Sequence, residues 1–246
     1  SINWEIKLPD DKKSLCPSIF GRSFRNVKNI KSPRWMVNRL LAVGLRPISS
    51  IVDVTNYIMM DIGRPLHAYD VNKINGNTLT VRISEKGEQF NALNGKTYEL
   101  DDSMLIISDE KGVDDLAGIM GGLRSSTQMG TKNVLIESAY FDPTTTRITA
   151  KKLGIDSDAK FRFERGIDPL SIEDGLNKAA LLIKEICGGE ISKVDIQKVD
   201  TFKNKTIKFD PNLFEQISGF KISTKEMLKI LEDLGFRSKK EKKYFR

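Results

Sequence analysis

Apolar residues recur at the spacing of β-strands in some segments of the chain and at the spacing of α-helices in others. Of all features of the sequence, this alternation restricts the possible folds most. Between residues 78 and 118, runs such as TLTVRIS and MLIIS alternate or are rich in β-branched residues. Asn94-Gly95 stands between two strand-like runs, FNAL and KTYEL, which is a strong hairpin signal. VLIESAYF and residues 190–209 repeat the strand-like pattern. The sequence therefore predicts a substantial β-sheet.

Helical patterns flank these strands. RWMVNRLLAVG follows Ser32-Pro33, an expected start for a helix, and a second helix is predicted at 53–62. Two more are predicted at 143–153 and 171–187, each followed by glycine, a common helix stop. Helices on both sides of a strand-rich middle predict an α+β fold, a mixed sheet with flanking helices.

The C-terminal part carries its own helix signals. A polar link at 201–205 is a plausible boundary, and Ser223 with Glu226 has the spacing of a capping box before TKEMLKILEDLG. Too few residues follow to close a second core. We therefore interpret this part as a portion of a small helical domain.

Charge and cysteine usage restrict the environment and the partners. The formal net charge is +7, with basic residues concentrated near both ends, which fits either a polyanionic partner or a solvated basic surface. The two cysteines, Cys16 and Cys187, lack metal-type spacing and favour a reducing cytosol, so we expect a cytoplasmic protein. No apolar run reaches the roughly 18 residues of a membrane helix, and no membrane association is expected.

A few polar residues stand in otherwise apolar segments and are the candidates for a site. Thr55 and Asn56 lie in VDVTNYIMM, His67 in GRPLHAYD and Glu137 in VLIESAYF. His67 is the only histidine, which excludes a multi-histidine metal site, and it is either structural or catalytic. Burying Glu137 is costly unless it is paired, so it is either a structural anion beside an arginine or part of a pocket. No carboxylate partner for His67 is evident.

Several long motifs resemble one known family, the bacterial-type phenylalanyl-tRNA synthetase beta subunit. They run in family order from Cys16 to Pro169, over about two thirds of the chain. The matching segments are SPRWMVNRLLAVGLRPISSIVDVTNYIMMDIGRPLHAYD, LNGKTYELDDSMLIISDEKG, LAGIMGG, NVLIESAYFDP and FRFERGIDP.

The resemblance implies a domain order and an activity. Residues 1–30 would end a preceding small domain, 31–203 would form the tRNA-editing domain, and 204–246 would begin a truncated small helical domain. The family's module hydrolyses tyrosine that is wrongly esterified to phenylalanine tRNA, after transfer. Aminoacylation, with its ATP and Mg²⁺, belongs elsewhere in an α2β2 heterotetramer with the alpha subunit. No cofactor or metal is implied for this segment.

The same resemblance assigns roles to single residues near the reacting ester. Thr55 and Asn56 match residues that hold the backbone end of the misacylated amino acid. His67 matches the histidine placed near the ester and the tRNA end, where it acts as a base or orients water. We favour orientation.

Four further positions match the walls of the family's amino-acid pocket. Gly118 falls on the glycine that approaches the ring, and Ala117 precedes it. Glu137 corresponds to the glutamate that recognises the tyrosine hydroxyl. Ala159 matches a small residue at the pocket mouth.

This chain also departs from the family pattern. Ser157-Asp158-Ala159-Lys160 replaces the usual Thr-Asp-Ala-Ser, and Asp114 and Asp115 take positions that are usually apolar. Two alternatives follow, a non-catalytic structural arm of the same subunit and a nucleic-acid-binding arm. Retention of Thr55, Asn56, His67, Gly118 and Glu137 together favours the editing interpretation.

Overall fold

The computed structural model describes residues 2–199, 202, 206–238, 240–241 and 244–245. The chain divides into two compact units, Ser1–Thr201 and Phe202–Arg246. The sequence analysis assigned residues 1–30 to a preceding domain, and here the structure departs from it. Those residues belong to the same unit as the segment up to Thr201, and the second boundary follows Thr201 rather than residue 203.

The first unit contains eleven strands and five α-helices among its described residues. The strands are β1 Asn3–Lys7, β2 Ser18–Arg25, β3 His67–Asp70, β4 Thr78–Ile83, β5 Gln89–Asn91, β6 Thr97–Glu99, β7 Leu105–Asp109, β8 Gly112–Leu116, β9 Met120–Gly121, β10 Val134–Tyr140 and β11 Glu190–Lys198. The helices are α1 Arg34–Ala42, α2 Ser50–Ile62, α3 Pro143–Leu153, α4 Asp158–Phe163 and α5 Ile172–Cys187.

Two larger sheets organise these strands. One has the order β1-β4-β7-β8-β9, in which β1 and β4 are parallel and the other neighbours antiparallel. The other is antiparallel, with the order β11-β2-β10-β3. Strands β5 and β6 form a separate hairpin around the predicted Asn94-Gly95 turn. The predicted α+β fold with a mixed sheet and flanking helices is confirmed.

Strand β2 explains why the N-terminal residues belong to this unit. It lies in the interior of the four-stranded sheet and pairs with β10 on one side and β11 on the other. Nothing in the order of the chain reveals this pairing, because the partners of β2 lie more than a hundred residues away.

The four-stranded sheet separates two parts of the core, and side chains of β10 alternate between them. Val134 and Ile136 pack with residues of α2 and α5. Leu135 and Ala139 face the opposite way and pack with residues of the five-stranded sheet. Glu137 shares this second face by alternation, so its carboxyl group lies between the two sheets.

The second unit contains α6 Pro211–Ser218, α7 Thr224–Asp233 and a short hairpin of β12 Lys240–Glu241 with β13 Tyr244–Phe245. The predicted cap is present, since Ser223 Oγ accepts a hydrogen bond from the Glu226 amide at 3.2 Å. Several large apolar side chains of this unit are exposed, including Ile217, Phe220 and Leu234, and Met227 is buried. None of the helices in the described ranges is long and apolar enough to cross a membrane.

Candidate active site

A small cavity of about 60 Å³ lies between the two sheets of the first unit. Four of the seven predicted site residues line it, namely His67, Gly118, Glu137 and Ala159. The remaining lining residues are Pro65, Leu66, Asp115, Ile119, Met120, Gly121, Phe141 and Phe163. Side chains that are far apart in sequence thus meet in one place.

Strand pairing places His67 and Glu137 side by side. Strands β3 and β10 are antiparallel, and His67 is the direct cross-strand partner of Glu137. Directly opposed residues project from the same face of a sheet with Cβ atoms about 5 Å apart. Both polar side chains therefore enter the cavity from one wall.

The Glu137 side chain is almost fully buried and lines the cavity. Its residue is 4% exposed, and no described residue donates a hydrogen bond to it. Burial raises the pKa of Glu137 to about 8, although the nearby Arg64 guanidinium lowers it. At neutral pH this group is mainly an uncharged carboxylic acid, which can both donate and accept a hydrogen bond.

This raised pKa has a consequence for stability that can be measured. Folded Glu137 keeps its proton up to about pH 8, whereas an unfolded glutamate loses it near 4.5, so stability should fall as pH rises between these values. We expect the melting temperature to drop between pH 5 and pH 8.5, and to drop less in Glu137→Gln, which cannot ionise. Equal drops in both proteins would contradict the shift.

His67 is held in its orientation by close neighbours on two sides. Its ring makes an edge contact with Tyr69, with centroids 4.5 Å apart. A Cβ atom at Gly121 would lie 2.2 Å from His67 Cε1, so only glycine allows this approach. Burial lowers the pKa of His67 to about 4, and the imidazole is therefore neutral at physiological pH.

Asp115 supplies the carboxyl group that the sequence analysis did not find for His67. Its Oδ2 lies 3.7 Å from His67 Nε2 and accepts a hydrogen bond from the Tyr69 hydroxyl at 3.3 Å. Burial and the neighbouring Glu137 raise the pKa of Asp115 well above its ordinary value. The adjacent Asp114 forms a separate ion pair with Arg124, at 2.8 Å.

The apolar wall of the cavity depends on Gly118. This residue has φ +71°, and a Cβ atom there would lie 2.8 Å from the Phe141 ring. Phe141 and Phe163 pack against each other with ring centroids 5.2 Å apart. Ala117 is buried next to Gly118 but does not line the cavity.

The mouth segment carries Ala159 into the cavity wall and Lys160 away from it. Helix α4 begins at Asp158 after the Ser157 cap, whose Oγ accepts a hydrogen bond from the Lys160 amide. Lys160 Nζ forms ion pairs with Glu164 at 3.1 Å and Asp156 at 3.4 Å. The lysine that replaces the family's usual serine therefore does not fill the cavity.

Thr55 and Asn56 are not brought into the cavity. Both lie on α2, and Thr55 Oγ1 donates a hydrogen bond to the Val52 carbonyl within that helix, at 2.7 Å. Neither residue is among those that line the cavity. Their predicted role toward the amino acid's backbone end stays a prediction.

Asp115, Phe141 and Phe163 are among the eight lining residues that were not predicted as site residues from the sequence. Asp115 carried a usable signal, because it is an acidic residue beside apolar Leu116 and Ala117, as Glu137 is in VLIESAYF. The two phenylalanines carried none, since an aromatic residue in a loop or short helix is most often ordinary core.

Comparison with protein families decides what kind of domain this is. Residues 15–188 match the B3/4 domain. The chain belongs to the B3/4 domain family. The cavity and all its lining residues fall within the matched range of this B3/4 domain.

Two relatives that resemble this B3/4 domain chain are phenylalanine–tRNA ligase beta subunits. The one from Paramagnetospirillum magneticum is 43% identical over 235 residues, covering 96% of this chain and 29% of the relative. The one from Zymomonas mobilis is 42% identical over 232 residues, covering 94% and 29%. The chain thus spans less than a third of these relatives, and the beta-subunit family resemblance drawn from the motifs is confirmed.

A solved N-terminal fragment of the phenylalanyl-tRNA synthetase beta subunit from Pyrococcus horikoshii is a more distant match. It aligns with 100% of this chain and 69% of that fragment, at 13% identity and a TM-score of 0.49.

The B3/4 cavity combines an uncharged carboxyl group, a neutral imidazole and an aromatic wall. Such a set can bind an aromatic ring with one polar substituent and can orient water by hydrogen bonding. Among the residues that the structure describes, no group of three or more His, Cys, Asp or Glu side chains is arranged to hold a metal ion.

Proposed function

We propose that this B3/4 domain is the post-transfer editing module of a phenylalanine–tRNA ligase beta subunit, and that it hydrolyses tyrosine esterified to phenylalanine tRNA. The observation that carries the proposal is the buried Glu137 carboxyl group, which lines a partly aromatic cavity beside His67 and lacks a hydrogen-bonding partner among the described residues.

Glu137 accounts for the choice of tyrosine over phenylalanine. Tyrosine differs from phenylalanine by one hydroxyl group, and an apolar synthetic pocket rejects such an addition by only about 10²-fold. In the editing cavity the phenolic hydroxyl pairs with the Glu137 carboxyl group. Phenylalanine leaves that buried group unpaired, which costs about 1–3 kcal/mol.

Binding of the ring requires the cavity to widen. Its volume of about 60 Å³ is well below the roughly 150 Å³ of an apolar cavity that holds benzene. The side chains of Phe163 and Met120 line the cavity and can adjust by rotation. Gly118 cannot give more room, since it already lacks a side chain.

His67 provides the polar contact for hydrolysis. The ester is activated, so holding a water molecule and the ester together supplies much of the rate. A neutral imidazole accepts a hydrogen bond through one ring nitrogen and donates through the other. His67 thereby orients water, the terminal ribose or both.

The partners follow from this role. They are phenylalanine tRNA and the alpha subunit, in an α2β2 heterotetramer in the cytoplasm, with ATP and Mg²⁺ at the separate aminoacylation site. The net charge of +7 also suits a tRNA-binding arm without catalysis. That second candidate does not explain an unpaired buried carboxyl group beside a histidine.

A deacylation assay tests the proposal directly. The full ligase that contains this chain should hydrolyse tyrosyl-tRNA in preference to phenylalanyl-tRNA, both on phenylalanine tRNA. Equal and slow release of both amino acids, at the rate without enzyme, would favour the non-catalytic arm.

His67→Ala in the same ligase should lower tyrosyl-tRNA hydrolysis roughly 10- to 100-fold, because water and ester lose their alignment. Since the pKa of His67 is about 4, its protonation should not reduce the wild-type rate between pH 8 and pH 6. Phenylalanine charging is the control for assembly. An unchanged hydrolysis rate in His67→Ala would make the histidine purely structural.

A further inference from the structure

Asp115 is a second buried acidic residue in the cavity wall, and its surroundings are unusual. It is 4% exposed and projects from β8, which belongs to the five-stranded sheet. His67 and Glu137 project from the other sheet. The cavity therefore has one carboxyl group from each sheet, Glu137 and Asp115. The proposed contact with the tyrosine hydroxyl uses only Glu137.

The geometry connects Asp115 to one particular atom of His67. Of the two ring nitrogens, Nε2 is the one that is fully enclosed and has no hydrogen-bonding partner among the described residues. The nearest carboxyl oxygen is Asp115 Oδ2, at 3.7 Å. That separation exceeds a hydrogen bond by less than about 1 Å, and contacts of this kind are often long in an empty site and shorten when the substrate binds.

Tyr69 occupies one of the two acceptor positions of Asp115 Oδ2. The Tyr69 hydroxyl donates to Asp115 Oδ2 at 3.3 Å, and its ring packs edge-on against the His67 ring. An oxygen that already accepts one hydrogen bond keeps a second lone pair for another donor. The group that Oδ2 can accept from next is an N–H at His67 Nε2.

The other charged groups around His67 do not compete for Nε2. Glu137 approaches from β10, Arg64 donates to the Ala139 and Asp168 carbonyls, and Asp114 is paired with Arg124. Asp115 and Glu137 both have raised pKa values because of burial. Oδ2 of Asp115 can accept a hydrogen bond whether the carboxyl group is ionised or carries its proton on Oδ1.

We propose that Asp115 is the positioning residue of His67: its Oδ2 accepts the Nε2 proton and holds the imidazole as the Nε2–H tautomer. Nδ1 is then the unprotonated nitrogen, and it accepts a hydrogen bond from the attacking water or the terminal ribose. The role of Nδ1 toward water or the ribose rests on the proposed editing function. The assignment of the Nε2–H tautomer does not.

NMR of the 246-residue chain tests the tautomer, because His67 is its only histidine and its imidazole signals are unambiguous. With ¹⁵N-labelled histidine at pH 7, we expect the wild type and Asp115→Asn to carry the proton on Nε2 and to protect it from solvent exchange. Asp115→Leu should lose this protection. Asp70→Asn is the matched control, since Asp70 is buried on β3 but bonds to Thr131 on the other side.

Hydrolysis by the full ligase provides the second measurement. Asp115→Leu should slow tyrosyl-tRNA hydrolysis about 10-fold or more through kcat, and Asp115→Asn, which keeps an acceptor oxygen, only a few-fold. A wild-type proton on Nδ1, wild-type rates in Asp115→Leu, or equal losses in both variants would overturn the inference. If Asp115→Leu does not fold, the wild type and Asp115→Asn still decide the tautomer. A wild-type ligase that cannot hydrolyse tyrosyl-tRNA contradicts the proposed function, and the NMR result stands separately.

Discussion

Glu137→Ala in the full ligase should narrow the preference for tyrosyl-tRNA over phenylalanyl-tRNA hydrolysis by roughly 10- to 100-fold. The proposed wild-type preference comes from one hydrogen bond, which the tyrosine hydroxyl makes with the Glu137 carboxyl group and which phenylalanine leaves unmade. Alanine removes that carboxyl group. The missing bond costs about 1–3 kcal/mol, and each 1.4 kcal/mol corresponds to a factor of ten.

Glu137→Gln is the matched control for this prediction. Its amide oxygen still accepts the phenolic hydrogen bond, so the preference should fall less than in the alanine variant. A glutamine also keeps the volume of the side chain, which separates chemistry from packing. If Glu137→Ala lowers the melting temperature while the ratio of the two hydrolysis rates stays at its wild-type value, Glu137 is a structural group and is not part of the specificity pocket.

The pH dependence of the ratio carries further information. Burial raises the pKa of Glu137 to about 8, so the free site holds an acid at pH 7 and a carboxylate above pH 9. An acid can still donate to a neighbouring acceptor, whereas a carboxylate can only accept, and its desolvation without a partner costs more. The penalty on phenylalanine should therefore grow with pH, and Glu137→Gln should remove that growth.

Local patterns in the sequence predicted several elements of the first unit, including one that carries a cavity residue. The helix expected at 143–153 is α3, with the Gly154 stop in the left-handed conformation. The run VLIESAYF became β10, and its alternation placed Glu137 on an interior face. These features depend on neighbours within a few residues, which is why periodicity and capping signals are sufficient for them.

Features that depend on distant pairing were not predictable in the same way. Ser32-Pro33 was expected to begin α1, but the Ser32 hydroxyl donates to Asp53 Oδ2 at 2.5 Å and Pro33 occupies the cap position. Residues 1–30 lie within the first unit because β2 pairs with β10 and β11. Asp115 meets His67 only because β8 and β3, from different sheets, face each other across the cavity.

Arg64→Met should lower the free energy of unfolding of the first unit by about 1–3 kcal/mol. Arg64 is fully buried, and its guanidinium donates to the Ala139 carbonyl at 2.8 Å, to Ser171 Oγ and to the Asp168 carbonyl. These acceptors belong to the end of β10 and to the turn before α5. Methionine leaves the carbonyl group of buried Ala139 without the Arg64 donor, whereas the Asp168 carbonyl keeps the Ser171 amide and hydroxyl as donors. The measurement is urea unfolding, with the midpoint and slope compared between variants.

Arg64 also stands beside Glu137, and its guanidinium lowers the pKa of that carboxyl group. Arg64→Met should therefore raise the pKa of Glu137 further and shift the pH dependence of the hydrolysis ratio upward. Arg165→Met is the control, because the Arg165 side chain is 55% exposed and its partners are the nearby Glu164 carboxylate and the Phe161 carbonyl and ring. Its unfolding midpoint should therefore hardly change. Equal midpoints for Arg64→Met and Arg165→Met would mean that water replaces the buried hydrogen bonds of Arg64, and that the guanidinium does not connect β10 to α5.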